Sequence, residues 1–183
     1  HLDLKRSKLF WKGTKTIGTK HYGFILFNSG WLHTNAAGKL NDGMFRINMK
    51  SIASTEHKKY EANQKINAEL KGSDFFEVAK YPTSSIVVKS IYPTANALKY
   101  KIEGSLTIKK TTQPIIFLAT INQGGTTIIA NANLTIDRLK WGIHETSKVS
   151  VVDHFFSSLK DKMIADEIPI VLRLVFVKSK TNL

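Results

Sequence analysis

QPIIFLATINQGGTTIIANANLTI, residues 113–136, decides how the rest of the chain is read. Two runs rich in β-branched residues flank Asn122, Gln123, Gly124 and Gly125. Such runs fit a pleated, half-buried surface, and an Asn/Gly cluster between them reads as a hairpin. The stretch has strand periodicity, and nothing in it has the length or the period of a helix.

Working outward, further runs carry the same signature. LKYKIEGSLTIK (98–109) puts Ile102, Leu106 and Ile108 on one face and Lys101, Glu103 and Lys109 on the other. IPIVLRLVFVK (168–178) sets Leu172, Leu174 and Phe176 against Arg173 and Val175. Toward the amino end come SSIVVKSIY (84–92) and MFRINMKSI (44–52), the latter with Phe45, Ile47 and Met49 facing together. In HYGFILF (21–27), His21, Gly23, Ile25 and Phe27 share a face. KLFWKGTK (8–15) shows Leu9 and Trp11 opposite Lys8 and Lys12. Alternation of this kind places one set inside and the other in solvent.

These are eight strand-like segments with no βαβ rhythm. Strands joined by short turns imply an antiparallel meander, and eight antiparallel strands can close into a barrel and so lose their edges. Two helical inserts are expected. One spans 54–72, capped by Ser54 or Thr55 and ended by Gly72, with only Tyr60, Ile66 and Leu70 apolar. The other spans 152–167, capped by Asp153, with a stripe of Phe155, Phe156, Leu159 and Met163. HYGFILF is apolar on both faces, since Tyr22, Phe24 and Leu26 point away from the core set. Its outer side therefore calls for a cover, a helix or a partner chain. AAGKLNDG holds turn signals on both sides of Lys39 and Leu40. Inward glycines at 23 and 104 mark a bend, a close approach or free space. Strand logic alone leaves a filled core and a ligand cavity equally open.

The totals suit one domain, 1–183. Hydrophobic residues make up 42% and charged residues 22%, so disorder is not expected. The chain lacks an apolar run long enough to span a membrane as a helix, and its first ten residues lack a signal-peptide core. It has no cysteine, which excludes disulfides, zinc–thiolate sites and cysteine nucleophiles. Lys and Arg number 27 against 14 acids, a net charge of +13. That field suits an anionic membrane surface or ligand. The lysines are dispersed and only four arginines occur, so nucleic acid is not the expected partner.

Catalytic patterns are missing. The chain has no nucleophile elbow, zinc-protease helix, phosphate loop or dinucleotide fingerprint. None of the six histidines stands four residues from another, and His21 on an inward face reads as a pocket or core polar group. No metal, no cofactor and no enzymatic reaction is expected.

A further stretch, SDFFEVAKYPTSSI (73–86), carries three rings in one connection, Phe75, Phe76 and Tyr81. A linker would be polar and flexible; these rings are expected to plug the barrel and anchor the first helix. The stretch resembles the helix-to-strand signature of the YceI-like family. Five other segments resemble that family's blocks in the same order. They are Ser7, Trp11 and Gly13 in the first strand; His21, Gly23 and Ile25; GMFRINMKSI; Gly104, Leu106, Thr107, Thr112 and Pro114; and Asp137, Arg138, Trp141 and Gly142. Asn48 stands where the family usually has Asp, Glu69 where a His is frequent, and Ile86 where a Phe is usual.

The resemblance implies a lipocalin-like barrel with an elongated apolar tunnel, in a periplasmic or secreted protein. It implies a long lipid as ligand, a polyisoprenoid quinone or a prenyl (pyro)phosphate. The expected contacts are Leu9, Trp11, His21, Ile25, Phe27, Phe45, Ile47, Phe76, Ile102, Leu106, Arg138, Leu172 and Leu174, with His21 and Arg138 toward a head group. The alternative is an interaction module with a filled barrel, a homodimer through the outer face of HYGFILF.

Overall fold

A computed structural model describes residues 1–14, 20–144 and 165–179. The strands are β1 (Lys8–Thr14), β2 (Lys20–Thr34), β3 (Leu40–Ser54), β4 (Thr83–Pro93), β5 (Lys99–Ile108), β6 (Thr111–Gly124), β7 (Thr127–Asp137) and β8 (Glu167–Val177). Each pairs antiparallel with its sequence neighbours, and β1 pairs with β8, so the barrel is closed in the order of the chain. Among the described strands each therefore has a neighbour on both sides, and none is an edge strand.

The opening hairpin is β6–β7, turned at Gly125 and Thr126; Gly125 has a φ of 53°, a left-handed value that a glycine takes without strain. Closure is fastened by Ser7, which is fully buried. Its hydroxyl accepts from the Val175 N–H at 3.0 Å and lies 3.4 Å from the Val175 carbonyl.

Alternation places the core as expected. Leu172, Leu174 and Phe176 are buried on β8, as are Ile102, Leu106 and Ile108 on β5 and Phe45, Ile47 and Met49 on β3. Beyond Met49 the alternation slips. Neither Lys50 nor Ser51 is buried, and Ile52 resumes the inward set. Asn48 supports this irregularity: its Oδ1 accepts from the Lys50 N–H, and its carbonyl accepts from the Ser51 hydroxyl.

The two inward glycines have a packing cause. A Cβ on Gly23 would lie 1.8 Å from the Ala53 carbonyl oxygen, and one on Gly104 would lie 2.2 Å from that of Val87. Both stand beside register shifts, where the neighbouring strand presses against them. They let backbones approach and do not open ligand space.

Three local expectations are corrected. Helix α1 is Tyr60–Lys71, and its N-cap is Lys59 without a side-chain bond, not Ser54 or Thr55. β3 extends through Ser54 and the Thr55 N–H bonds to Tyr22 O, so tertiary pairing with β2 takes the residues that propensity gave to the helix. Asn63 then ties the approach down, accepting from His57 N–H and donating to His57 O. The second expected helix falls mostly outside the described residues, but its final residue, Glu167, begins β8. Asn41, Asp42 and Gly43 belong to β3, because pairing with β2 continues through His33 and Asp42; the turn is residues 35–39.

On the outer face of β2, Tyr22 is exposed, Phe24 and Leu26 are half-buried, and the Lys8 ammonium sits 5.0 Å from the Phe24 ring centre. The most exposed large apolar side chains of the strands are instead on β6, where Ile116 is 66% and Leu118 55% accessible.

Candidate functional site

One end of the barrel is closed by three pieces of chain. α1 is pinned there by Asn67, whose buried Oδ1 accepts from the Ser54 N–H at 2.6 Å. The connection after α1 follows, and Phe75 and Val78 are its buried residues. The third piece is a single 3₁₀ turn, Arg138–Trp141, capped by the Asp137 carboxylate on the Leu139 N–H. Trp141 is buried and its indole N–H donates to the Leu106 carbonyl at 3.0 Å.

Beneath these pieces lies a chamber of about 180 Å³. Its wall comes from every strand but β6. Leu9, Trp11, Ile25, Ile47, Ile86, Leu106, Ile136 and Ile170 are typical, with Ile66 and Leu70 of α1, Phe75, Phe76 and Ile143 toward the closed end. Its polar groups are few: Thr14, His21, Glu69, Ser84 and Arg138. A smaller chamber of about 40 Å³ occupies the other end, lined by Leu32, Phe45, Ile102, Phe117, Leu172, Leu174 and Phe176 among others.

The chambers share no lining residue. Phe27 lines neither and is buried; its ring meets Phe45 edge to face at 6.4 Å, and Phe45 meets Phe176 at 5.7 Å. The free space therefore lies in two chambers, one toward each end of the barrel, where the sequence led us to expect one elongated tunnel. Along β3, β5, β7 and β8 the inward residues toward one end line the large room. Those toward the other end line the small one.

The expected contact residues divide between the rooms. Leu9, Trp11, His21, Ile25, Ile47, Phe76, Leu106 and Arg138 line the large chamber, while Phe45, Ile102, Leu172 and Leu174 line the small one. Tyr81 lines neither room; it is half-buried beside the Lys80 ammonium, 5.2 Å from its ring centre. Two of the three rings, Phe75 and Phe76, form the plug.

The two head-group candidates behave differently. Arg138 is 3% accessible. Its guanidinium donates to the Ile143 carbonyl at 2.8 Å and the Ala165 carbonyl at 3.4 Å, and it meets the Asp166 carboxylate at 3.2 Å. It clamps the 3₁₀ turn to the start of β8, and so is a structural group in the wall. His21 Nε2 has no partner among the described residues. Its Nδ1 faces both oxygens of Glu56, at 2.7 and 2.9 Å. Glu56 is 5% accessible at its side chain, meets His57 Nε2 at 3.0 Å and accepts from the Tyr22 N–H. Sequence reasoning missed Glu56, because 35 residues separate it from His21 and only the β2–β3 pairing joins them.

The plug has its own fastening. Glu77 and Lys109 both hold left-handed backbone, at φ values of 46° and 55°. The Lys109 ammonium binds the Glu77 carboxylate at 2.6 Å and the Phe75 carbonyl at 3.2 Å. The hydrogen bond from Lys109 holds the Glu77 carboxyl below its ordinary range.

Comparison with known proteins agrees with this architecture. The family model described as YceI-like domain matches residues 1–176. The chain belongs to the YceI-like family. Solved structures share the fold of this YceI-like chain. Burkholderia cenocepacia BcnA superposes with a TM-score of 0.74 at 23% identity, over 97% of this chain and 100% of that one. A polyisoprenoid binding domain from Saccharophagus degradans, implicated in plant cell wall breakdown, gives 0.68 at 13% identity over 97% of each chain. The Campylobacter jejuni YceI protein gives 0.61 at 19% identity over 84% of each. At these identities the likeness carries the fold. No curated protein sequence matches the YceI-like chain.

Proposed function

We propose that this chain binds a long apolar lipid, a polyisoprenoid quinone or prenyl (pyro)phosphate, and acts as its carrier, store or chaperone. One observation carries the reading: an apolar chamber of about 180 Å³ in a barrel of this size, where side chains could have filled the space. A dry cavity of ~150 Å³ accepts a benzene molecule, so the chamber has room for the first one or two isoprene units. The Saccharophagus domain of the same fold is a polyisoprenoid binding domain, which supports this choice of lipid. Burying hydrocarbon is worth about 0.8 kcal/mol per CH₂. The one or two units that fit would contribute about 4–8 kcal/mol, comparable with ordering costs of several kcal/mol.

This is a binding protein in our reading, not an enzyme. Among the described residues no group of three or more His, Asp or Glu side chains could hold a metal. The periplasmic or secreted location implied by the resemblance belongs to the same proposal, and cell fractionation tests it. The +13 charge supports docking on an anionic membrane for lipid exchange. Vesicle binding that ignores salt would argue against that step.

Native mass spectrometry of freshly purified protein, with lipid identification after denaturation, tests the main reading. A stoichiometric prenyl-chain mass is expected. A bare protein mass that persists after incubation with isoprenoid quinones and prenyl phosphates would favour the filled interaction module.

A further inference from the structure

The two indoles at the closed end of the barrel are treated differently. Trp141 donates its N–H to Leu106 O. Trp11 also lines the large chamber, and its Nε1 is buried with no hydrogen-bond partner among the described residues. Native proteins pair nearly all such groups, because a buried donor without an acceptor costs roughly 1–3 kcal/mol. A phenylalanine would avoid that cost at this position. An acceptor brought in by a ligand would remove it.

His21 is the neighbouring polar group. Trp11 pairs with Gly23 and His21 pairs with Gly13 across β1 and β2, so the two inward side chains are diagonal neighbours. Both oxygens of Glu56 hold Nδ1, which fixes the ring, and Nε2 has no partner among the described residues. Opposite it, Gly13 lines the chamber, and a Cβ there would meet nothing within 4 Å among the described residues. Space and two polar atoms therefore occur together in a wall whose other polar residues are Thr14, Glu69, Ser84 and Arg138.

The charges in this wall do not suit an anion. Glu69 lines the chamber, and the Glu56 carboxylate stands directly behind His21. No lysine is among the described lining residues, and the Arg138 guanidinium already serves Ile143, Ala165 and Asp166. A phosphate placed here would lose its water shell next to carboxylates, at high cost.

We infer that Trp11 Nε1–H and His21 Nε2 are the polar contacts for an uncharged hydroxyl on the lipid, which accepts from the indole and donates to the imidazole nitrogen, so that the chamber selects a prenyl lipid with a neutral hydroxyl head over a prenyl phosphate. The inference rests on the lipid-binding reading above and narrows it.

Calorimetric titration separates the two. The ligands are a prenol of four isoprene units, the hydrocarbon of matching length and the matching prenyl diphosphate. Wild-type protein binds the prenol more tightly than the diphosphate. Trp11→Phe weakens prenol binding about 3- to 10-fold, the range of one neutral hydrogen bond, while hydrocarbon binding stays within about 2-fold. His21→Leu, at a partly accessible position, repeats the comparison independently of how Trp11→Phe folds. The inference is overturned if the diphosphate binds wild type more tightly, or if both substitutions leave the prenol-to-hydrocarbon ratio unchanged. If wild type binds none of the three, the lipid-binding reading itself fails. That outcome is distinct from binding without discrimination.

Discussion

Phe27 and Phe45 meet edge to face inside the barrel, 6.4 Å between ring centres and 64° between planes. Phe45 lines the small chamber, while Phe27 lines neither and pairs with Ile47 of the large one. A lipid that extends from the large chamber toward the small one would have to pass these rings. Phe27→Ala should destabilise the empty protein by about 3–5 kcal/mol, as for other buried phenylalanines. It should also lengthen the longest prenyl chain retained, read by native mass spectrometry over a chain-length series. An unchanged length limit would mean that this ring pair does not control access.

The plug makes a second test. Phe75 is 8% accessible and Phe76 is half-buried, although both line the chamber. Phe75→Ala should cost about 3–5 kcal/mol in urea denaturation and Phe76→Ala distinctly less. The order follows from burial, and the reverse order would place the anchoring ring at Phe76.

Acid should loosen this plug through Glu77. Its carboxyl titrates below its ordinary value because Lys109 donates to it, so the folded state binds the proton less readily than the unfolded chain. The contribution is complete above the ordinary carboxyl range and is lost as pH falls through the lowered value. Glu77→Gln should flatten that part of the stability–pH curve. Denaturation midpoints of the two proteins across the acid range check it, and parallel curves would remove Glu77 from the acid response.

Arg138 should behave as a structural residue. Arg138→Met leaves the Ile143 and Ala165 carbonyls without their donor and should lower stability by about 2–4 kcal/mol, in the range for lost charge-assisted hydrogen bonds. In whatever fraction stays folded, the preference between prenyl quinone and prenyl diphosphate should be unchanged. A selective loss of diphosphate binding would return Arg138 to the head-group role expected from the sequence.

The strands were legible because their signal is local. Alternation along IPIVLRLVFVK fixes which side of β8 is buried whatever the barrel contains, since successive side chains leave opposite faces of a strand. The hairpin at Gly125 is equally local, as are most of the wall positions on β5 and β8. The start of α1 was not legible. Residues 55–59 have helix-compatible composition, and only bonds to β2 and to Asn63 settle their path.

The sequence by itself determined the eight strands, their antiparallel order, the inward faces and the plug formed by the connection after α1. Tertiary structure alone decided what the inward side chains leave empty. The aromatic contacts need Phe45 of β3 to meet both Phe27 of β2 and Phe176 of β8. The site needs Glu56 behind His21, and Arg138 must be drawn to carbonyls at residues 143 and 165. A strand's period is a property of its own backbone, whereas cavity volume and polar pairing depend on rotamers contributed by strands far apart in the chain.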